Sequence, residues 1–545
     1  MLTSHALDEC LLPIEIFDLI IKEVVGGSNR QEALSTLRTC SLVCKAFIDL
    51  CRPHIFSTVT YGPYGHLHET RKNLGKLLTK QPKIRTYVKN VKYIMDIEDD
   101  PPINEAALVA NAKKRFGAKA DHRPAAPEVF SEENLRADSA YFAHLDYQEY
   151  IMTAGRVDAY RPTLALLITH AESLSIHHSR CHTADMATGT ACTDKRCLFF
   201  LNTMLEEMST QDTIRSISIM GFADLRMWMV MDSPNLQHLH LDTCLLDDWN
   251  CPPGVVLGRR EIGLPPLSSI IKLKTITVRA VDNFAFSIIQ YCKDLESVSI
   301  FDLDFGSEVP SHLDKSKRIT SFPKLRNMRI DKPRNWVPFC SLSESSGLTT
   351  FPALTHLDVF LGEVRDSQHI NRLISHSRIL EDLTVRIGVQ NDNFKLLNPT
   401  AWLQTNQSTL KSLTLLPSIS VYDDEDPLIR VLCDGLSKIK GNNHLETLVI
   451  NITYHRYMVG LNIFVPKFEQ WKRFDTLFTS NRVVDFPKLK NLSISIHFTA
   501  GPIRPIRDIP NFWAGLEFLR GPLKRLHADG SRGINFSCKI THAIR

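Results

Sequence analysis

A short pattern, aliphatic–x–x–aliphatic–x–aliphatic, recurs nine times between residues 235 and 494 and constrains the fold more than any other feature of the sequence. The copies are NLQHLHL (235–241), LKTITV (273–278), DLESVSI (294–300), KLRNMRI (324–330), ALTHLDV (353–359), ILEDLTV (379–385), TLKSLTL (409–415), HLETLVI (444–450) and KLKNLSI (488–494). Polar residues fill most intervening positions, and this alternation is typical of a strand with one buried face. Such a unit cannot bury its apolar face alone, so we expect successive copies to stack side by side.

The recurring unit resembles a leucine-rich repeat. The segment LQHLHLDTCLL (236–246) fits the longer template of that repeat, with Cys244 at its Asn/Cys position. Segments of helical character, such as 284–294 and 371–379, lie between the predicted strands, and FP precedes three of the copies. The resemblance implies an α/β fold in which residues 61–545 form an irregular leucine-rich-repeat-like solenoid, or horseshoe. The alternative is a non-repetitive α/β domain whose strands share a pattern.

The horseshoe would place the residues between the repeated leucines on its concave face, where a target protein could bind. The candidate contacts are Gln237, His238, His240, Arg326, Arg329, His356, Asp358, Glu381, Lys411 and Glu446. Their mixed charge does not specify the target. Each is equally explained as an ordinary solvated strand residue.

A separate helical module is predicted at the N-terminus. In LPIEIFDLIIKEVV (12–25), Pro13 suits the first turn of a helix. Helical spacing places the apolar side chains over an arc of roughly 180°, whereas a surface helix usually needs a stripe of ~100°. A second run of apolar residues at helical spacing follows the GGSN break (26–29) and is expected to end at Pro53. Two or three helices of this size bury too little surface to be stable alone, so the module needs a partner or a neighbouring domain.

Residues 8–60 resemble an F-box of the fungal type. The first stretch is similar to its Leu-Pro-x-Glu opening, SLVCKAF (41–47) to its Val-Cys-Lys/Arg-x-Trp segment, and CRPHIFSTVTY (51–61) to its ending. The resemblance implies docking onto the small adaptor subunit of cullin–RING ubiquitin ligases. The adaptor contacts that it implies are Leu12, Pro13, Ile16, Ile20, Val43 and Phe47, of which Phe47 stands where many members have tryptophan. The alternative is a helical cap on the next domain.

Composition and missing motifs favour an intracellular, non-catalytic chain. A net charge of +4 over 545 residues predicts no dedicated nucleic-acid or membrane surface. Asp8 and Glu9 precede the first apolar run, unlike in a signal peptide. Thirteen cysteines at irregular spacing favour a reducing compartment, the cytoplasm or the nucleus. The sequence contains no phosphate-binding loop, His-Glu-x-x-His or Gly-x-Ser-x-Gly motif, so we expect no cofactor and regard a hydrolase as the weaker hypothesis.

Three further segments depart from the repeat. Residues 177–197 contain zinc-competent side chains but no Cys-x-x-Cys pair, so we expect a loop rather than a metal site. Residues 98–145 are polar and proline-bearing, which predicts a partly disordered insertion. The acidic stretch YDDEDP (422–427) is expected to be a solvated loop.

The sequence therefore predicts a substrate-recognition subunit of a cullin–RING ubiquitin ligase. The F-box would bind the adaptor, the repeats would hold a target protein, and other subunits would transfer ubiquitin. The alternative is a leucine-rich-repeat scaffold whose N-terminal helices only cap the solenoid and bind no ligase.

Overall fold

The structure is a computed structural model that describes part of the chain. The described residues are 14–26, 29–43, 45–62, 68–95, 162–178, 191, 198, 201–202, 204–205, 208, 211–223, 225, 227, 230, 233–246, 256–257, 260–261, 272–284, 286–302, 321–331, 351–362, 366–388, 398–420, 426–456, 469–479, 485–500, 521, 523–528 and 534–544. The predicted insertion at 98–145 lies outside them, as do Leu12, Pro13, most of the segment 177–197 and residues 422–425 of the acidic stretch.

Three helices form the N-terminal module: α1 (Ile14–Gly26), α2 (Arg30–Ser41) and α3 (Lys45–Ile55). Helix α2 begins after Asn29, whose side-chain oxygen accepts hydrogen bonds from two otherwise unpaired backbone N–H groups of its first turn. The module's small core is built on Ile21, Leu37 and Cys51. Pro53 does not end the third helix as expected, because α3 continues to Ile55.

The chain divides into two compact units, the first of which comprises Met1–Leu273, Ala280–Asn283 and Pro310–Leu313. Besides the three helices, this unit contains α4 (His68–Lys80), α5 (Lys83–Tyr87) and a helical segment at 162–168. Its strands are β1 (Thr58–Tyr61), β2 (Asn90–Met95), β3 (Ser173–His178), β4 (Ser216–Met220) and β5 (His238–Leu245). They pair in parallel and in chain order.

The second unit comprises Lys274–Arg279, Phe284–Val309 and Asp314–Arg545. Its strands are β6 (Thr275–Asp282, which ends in residues of the first unit), β7 (Ser297–Phe301), β8 (Asn327–Asp331), β9 (His356–Leu361), β10 (Asp382–Ile387), β11 (Ser412–Ser420), β12 (Thr447–Arg456), β13 (Asn491–Ala500) and β14 (Asn535–Ile544). Its helices are a 3₁₀ helix (Phe286–Tyr291), α6 (Asp366–Ser375), α7 (Pro399–Thr405), α8 (Asp426–Lys438), α9 (Glu469–Thr479) and α10 (Lys524–Ala528). These strands also pair in parallel and in chain order.

The prediction of a mixed α/β fold with stacked repeats is confirmed, and the paired strands are parallel. All nine copies of the repeated pattern form strands, β5 to β13. The helix expected at 371–379 begins earlier and ends sooner, as α6, and the segment 284–294 forms a 3₁₀ helix rather than an α-helix. The short pair Val256–Leu257 and Arg260–Glu261 is antiparallel and lies outside the parallel order.

The core of the second unit lies between the apolar face of the strands and the helices that connect them. In β10, for example, Leu383, Val385 and Ile387 are buried, while the residues between them are half-exposed. Helices α6, α7, α8, α9 and α10 pack in chain order. The Trp402 indole N–H donates to the Asn371 side-chain oxygen at 2.7 Å, and the backbone N–H of Leu526 donates to the carboxylate of Asp475 at 2.9 Å.

The FP motif supplies an aromatic core residue just before a strand. Phe322 and Phe351 are both buried, and their rings stack with centroids 5.7 Å apart. Phe486, the third of these residues, packs against Phe478 of α9 at 4.9 Å. The proline that follows is exposed at all three positions. The motif therefore carries a buried ring in each of these repeats.

We predict that Leu383→Ala destabilises the second unit by about 2–5 kcal/mol, because it leaves a cavity between the strand and helix layers. Thr384→Ala on the opposite face of the same strand is the matched control, for which we expect less than about 1 kcal/mol. Urea denaturation of the full chain measures both. Equal effects of the two variants would contradict the assignment of the buried face.

Candidate functional site

The residue that precedes each strand from β2 to β13 occupies the same structural position, and these residues form what we call the strand-start row. In the first unit the row contains Lys89, Glu172, Arg215 and Gln237; in the second it contains Lys274, Glu296, Arg326, Thr355, Glu381, Lys411, Glu446 and Lys490. Within each unit, the backbone N–H of every member after the first donates to the carbonyl of the preceding member at 2.7–3.0 Å. Neighbouring side chains are therefore about one strand spacing apart, which is roughly 4.8 Å.

Charges in the strand-start row pair with each other. Lys411 contacts Glu381 at 2.8 Å, and Lys490 contacts Glu446 at 2.5 Å. The hydrogen bond from Lys490 lowers the pKa of the Glu446 carboxyl, and the hydrogen bond to Glu381 raises the pKa of Lys411. In the first unit, the hydrogen bond from Lys89 lowers the pKa of Glu172 in the same way. These exposed pairs hold side chains along the row rather than leaving them free for a partner.

The ten predicted target contacts separate into two groups. Gln237, Arg326, Glu381, Lys411 and Glu446 lie in the strand-start row. His238 and His240 lie on the solvent-facing side of β5 in the first unit. Arg329, His356 and Asp358 lie on the solvent-facing side of the strands of the second unit, which we call the polar face. Of the latter group, His356 pairs with Asp382 at 2.8 Å, and His240 lies 3.4 Å from the Ser218 hydroxyl.

Two arginines and two aspartates form a compact network on the polar face of β8 to β10. Arg386 of β10 donates twice to Asp358 of β9, from Nε at 3.1 Å and from Nη2 at 2.8 Å. Its third nitrogen, Nη1, reaches Asp331 of β8 at 3.2 Å. Arg329 of β8 pairs through Nε with the same Asp358 carboxylate, at 3.2 Å. We call Arg329, Asp331, Asp358 and Arg386 the arginine–aspartate cluster.

Two phenylalanines border the arginine–aspartate cluster. The guanidinium carbon of Arg329 lies 4.6 Å from the centre of the Phe301 ring on β7, which is within the range of a cation–π interaction. The Phe360 ring lies against Gly362 and Gly388, where a Cβ atom would come within 3.0 and 3.2 Å of it. These glycines leave room for the ring at the end of its strand. The cluster therefore has fixed charges beside half-buried aromatic surface.

The N-terminal module exposes a second candidate surface, which is apolar. Ile16, Leu19 and Ile20 share one face of α1 and are 39%, 60% and 48% exposed, and Leu42 and Val43, between α2 and α3, are 85% and 69% exposed. We call these five residues the N-terminal apolar patch. The adjacent face of α1 carries Ile21, Val24 and Phe17, which pack inward.

The predicted adaptor contacts differ in their surroundings. Ile16, Ile20 and Val43 are exposed members of the N-terminal apolar patch. Phe47 instead packs against the module's own core, with its ring 4.9 Å from that of Phe17 in an edge-to-face arrangement. Sequence reasoning missed Leu19 and Leu42 as patch members. It also missed Phe301, Asp331 and Arg386, which lie one position beyond the last aliphatic residue of their repeats.

The described part of the chain contains no group of three or more His, Cys, Asp and Glu side chains placed to hold a metal ion. Of the segment 177–197, His178 is described as buried and packs edge-to-face with Phe222, and His177 contacts the Ser175 hydroxyl. Burial raises the pKa of the Cys244 thiol to about 12, and that of Cys433 likewise to about 12. Both thiols are therefore protonated core groups at neutral pH.

No described helix has both the length and the apolar character required to cross a bilayer.

Comparison with known proteins does not assign the chain to a family. No protein-family model and no curated protein sequence matches the chain. Among solved structures, the chain is similar to an internalin from Listeria monocytogenes, with 12% sequence identity over 76% of this chain and 96% of the internalin. The TM-score is 0.28, so the fold rests on the strand order described above rather than on this similarity.

We predict that Glu446→Gln flattens the pH dependence of stability between about pH 7 and pH 3. Because the pKa of Glu446 is lowered in the folded chain, its ionised form stabilises the fold above the ordinary glutamate range. That contribution is lost as the pH falls through the lowered pKa. Denaturation at several pH values measures this, and the difference between variant and wild type should vanish in acid. A difference that persists at the lowest pH would contradict the role of the pair with Lys490.

Proposed function

We propose that this chain is a substrate-recognition subunit of a cullin–RING ubiquitin ligase. In this proposal the N-terminal apolar patch binds the small adaptor subunit, and the polar face of the strands binds a target protein. The chain itself performs no chemistry, and its contribution to ubiquitin transfer is to hold the target near subunits that carry out the reaction.

The observation that carries the proposal is the concentration of exposed apolar side chains at the N-terminus. Seven large apolar residues are exposed in the described part of the chain, and all of them except Ile379 lie between residues 16 and 43. Exposed apolar side chains concentrated in one small module, rather than scattered singly over the surface, are typical of a protein-binding site. The same residues belong to the stretch that resembles an F-box, and that family binds its adaptor there.

The geometry of α1 supports a division between internal packing and partner binding. At 100° per residue, Phe17, Ile21 and Val24 fall within one narrow arc, which faces the module's core. Ile16, Leu19 and Ile20 fall within the adjacent arc and stay exposed. This division accounts for the wide apolar arc that the sequence predicts for α1. One half of the arc packs against the module's core, and the other half would bind the adaptor.

The alternative function is a repeat scaffold whose N-terminal helices only cap the neighbouring elements. Helix α3 does pack against α5, as a cap would. A cap that served only this purpose, however, would cover its apolar side chains, and Leu42 and Val43 are more than two-thirds exposed. The exposure of this turn therefore favours a binding role.

We predict that replacing Ile16 and Ile20 together by Glu lowers affinity for the purified adaptor about 100-fold or more. An unpaired carboxylate buried in an apolar interface costs several kcal/mol, and a standard interface has little surplus affinity to offset that loss. Biolayer interferometry with the full-length chain measures the dissociation constant.

Val25→Glu is the matched control. Val25 is exposed on α1 to a similar extent, but it lies on the side of the helix opposite the N-terminal apolar patch. We expect this variant to bind the adaptor as the wild type does. No adaptor binding by the wild type, or equal losses in both variants, would contradict the proposed function.

A further inference from the structure

We propose that Arg329 binds one carboxylate of the target protein, from an aspartate or glutamate in an extended segment that lies along the polar face. This inference rests on the part of the proposed function that assigns the polar face to target binding. It identifies the chemistry of that contact, which the mixed charge of the face does not.

The first step distinguishes the two arginines of the arginine–aspartate cluster. All three nitrogens of Arg386 donate hydrogen bonds, two to Asp358 and one to Asp331. Three of its five N–H donors are therefore used within the chain. Arg386 holds the two aspartates in place.

Arg329 is fixed by its contacts with Asp358 and Phe301, whereas its two Nη groups are exposed. Its Nε atom is buried and lies 3.2 Å from Asp358, an ion pair without a directed hydrogen bond. Its guanidinium lies over the Phe301 ring, and 40% of the side chain remains exposed. In the described structure no hydrogen bond reaches its two Nη atoms, and neither is buried. The pair of donors therefore faces solvent.

This arrangement pre-organises Arg329 for a planar, two-oxygen ligand. The ion pair and the ring contact restrict the side chain, so less conformational entropy is lost when a ligand binds. A guanidinium fork matches a carboxylate with two parallel hydrogen bonds, which are stronger than neutral ones. The half-buried Phe301 ring beside it would contact the apolar part of the same segment.

The charge around the fork favours a carboxylate over a phosphate. The two arginines and two aspartates of the cluster balance each other. A carboxylate adds one negative charge to this balanced set. A phosphate dianion would bring a second negative charge close to Asp331 and Asp358, which already carry negative charge.

The test begins with selection of displayed random 12-residue peptides on the full-length chain. Arg329→Lys, which keeps the charge but loses the fork, is the counter-target. Arg430→Ala removes an exposed arginine from helix α8 and is the control. We expect peptides that bind the wild type and the control, discriminate against R329K, and share one acidic position. Circular dichroism establishes that each variant is folded.

A double-mutant cycle then assigns the contact. Replacing the shared acidic residue of a selected peptide by its amide should weaken binding to the wild type about 10-fold or more and weaken binding to R329K by a smaller factor. Phosphoserine at that position should bind more weakly than the carboxylate. Selected peptides without an acidic position, equal losses on both chains, tighter phosphopeptide binding or no discrimination by R329K would each overturn the inference. None of these measurements uses the adaptor, so their failure is distinct from failure to bind a ligase.

Discussion

A backbone carbonyl shared between two N–H groups sets the register of the strands, and the other features of the fold depend on it. The carbonyl of Thr355, for instance, accepts from the N–H groups of both Glu381 and Asp382, and the carbonyl of Glu381 accepts from those of Lys411 and Ser412. The same arrangement recurs from repeat to repeat within each unit. Because the strands of each unit begin at the same level, residues of equal position form rows within that unit. A slip by one residue would move each apolar row to solvent, which the burial of the core opposes.

The rows explain why residues far apart in sequence act together. Two apolar rows, such as Leu357 and Val359 continued by Leu383 and Val385, form the strand side of the core. On the other side, Arg386 reaches Asp358 and Asp331, the latter 55 positions earlier in the chain. The network therefore exists only when three successive strands are in register. Its residues hold each other in place, while the two Nη groups of Arg329 remain exposed to solvent without a hydrogen bond to any described residue.

The sequence predicted the parts of this fold that a local pattern can encode. Nine strands were predicted because their aliphatic spacing is visible in a single repeat. Strands β1 to β4, which precede the nine copies, were not predicted. Strand β14 was missed because Phe536 and Cys538 stand at its inward positions, and the upstream leucine is absent. The arginine–aspartate cluster could not be predicted, since no single repeat contains it. Nor could Leu42, whose exposure depends on how the turn between α2 and α3 projects from the module.

The central claim is that the N-terminal apolar patch is a binding surface for the ligase adaptor and not part of the chain's own core. Amide hydrogen exchange of the full-length chain, with and without saturating purified adaptor, tests it most directly. The account predicts slower exchange in residues 14–26 and 41–47 on adding the adaptor, with strands β10 to β13 unchanged. Unchanged exchange at the N-terminus, or protection confined to the strands, would contradict it.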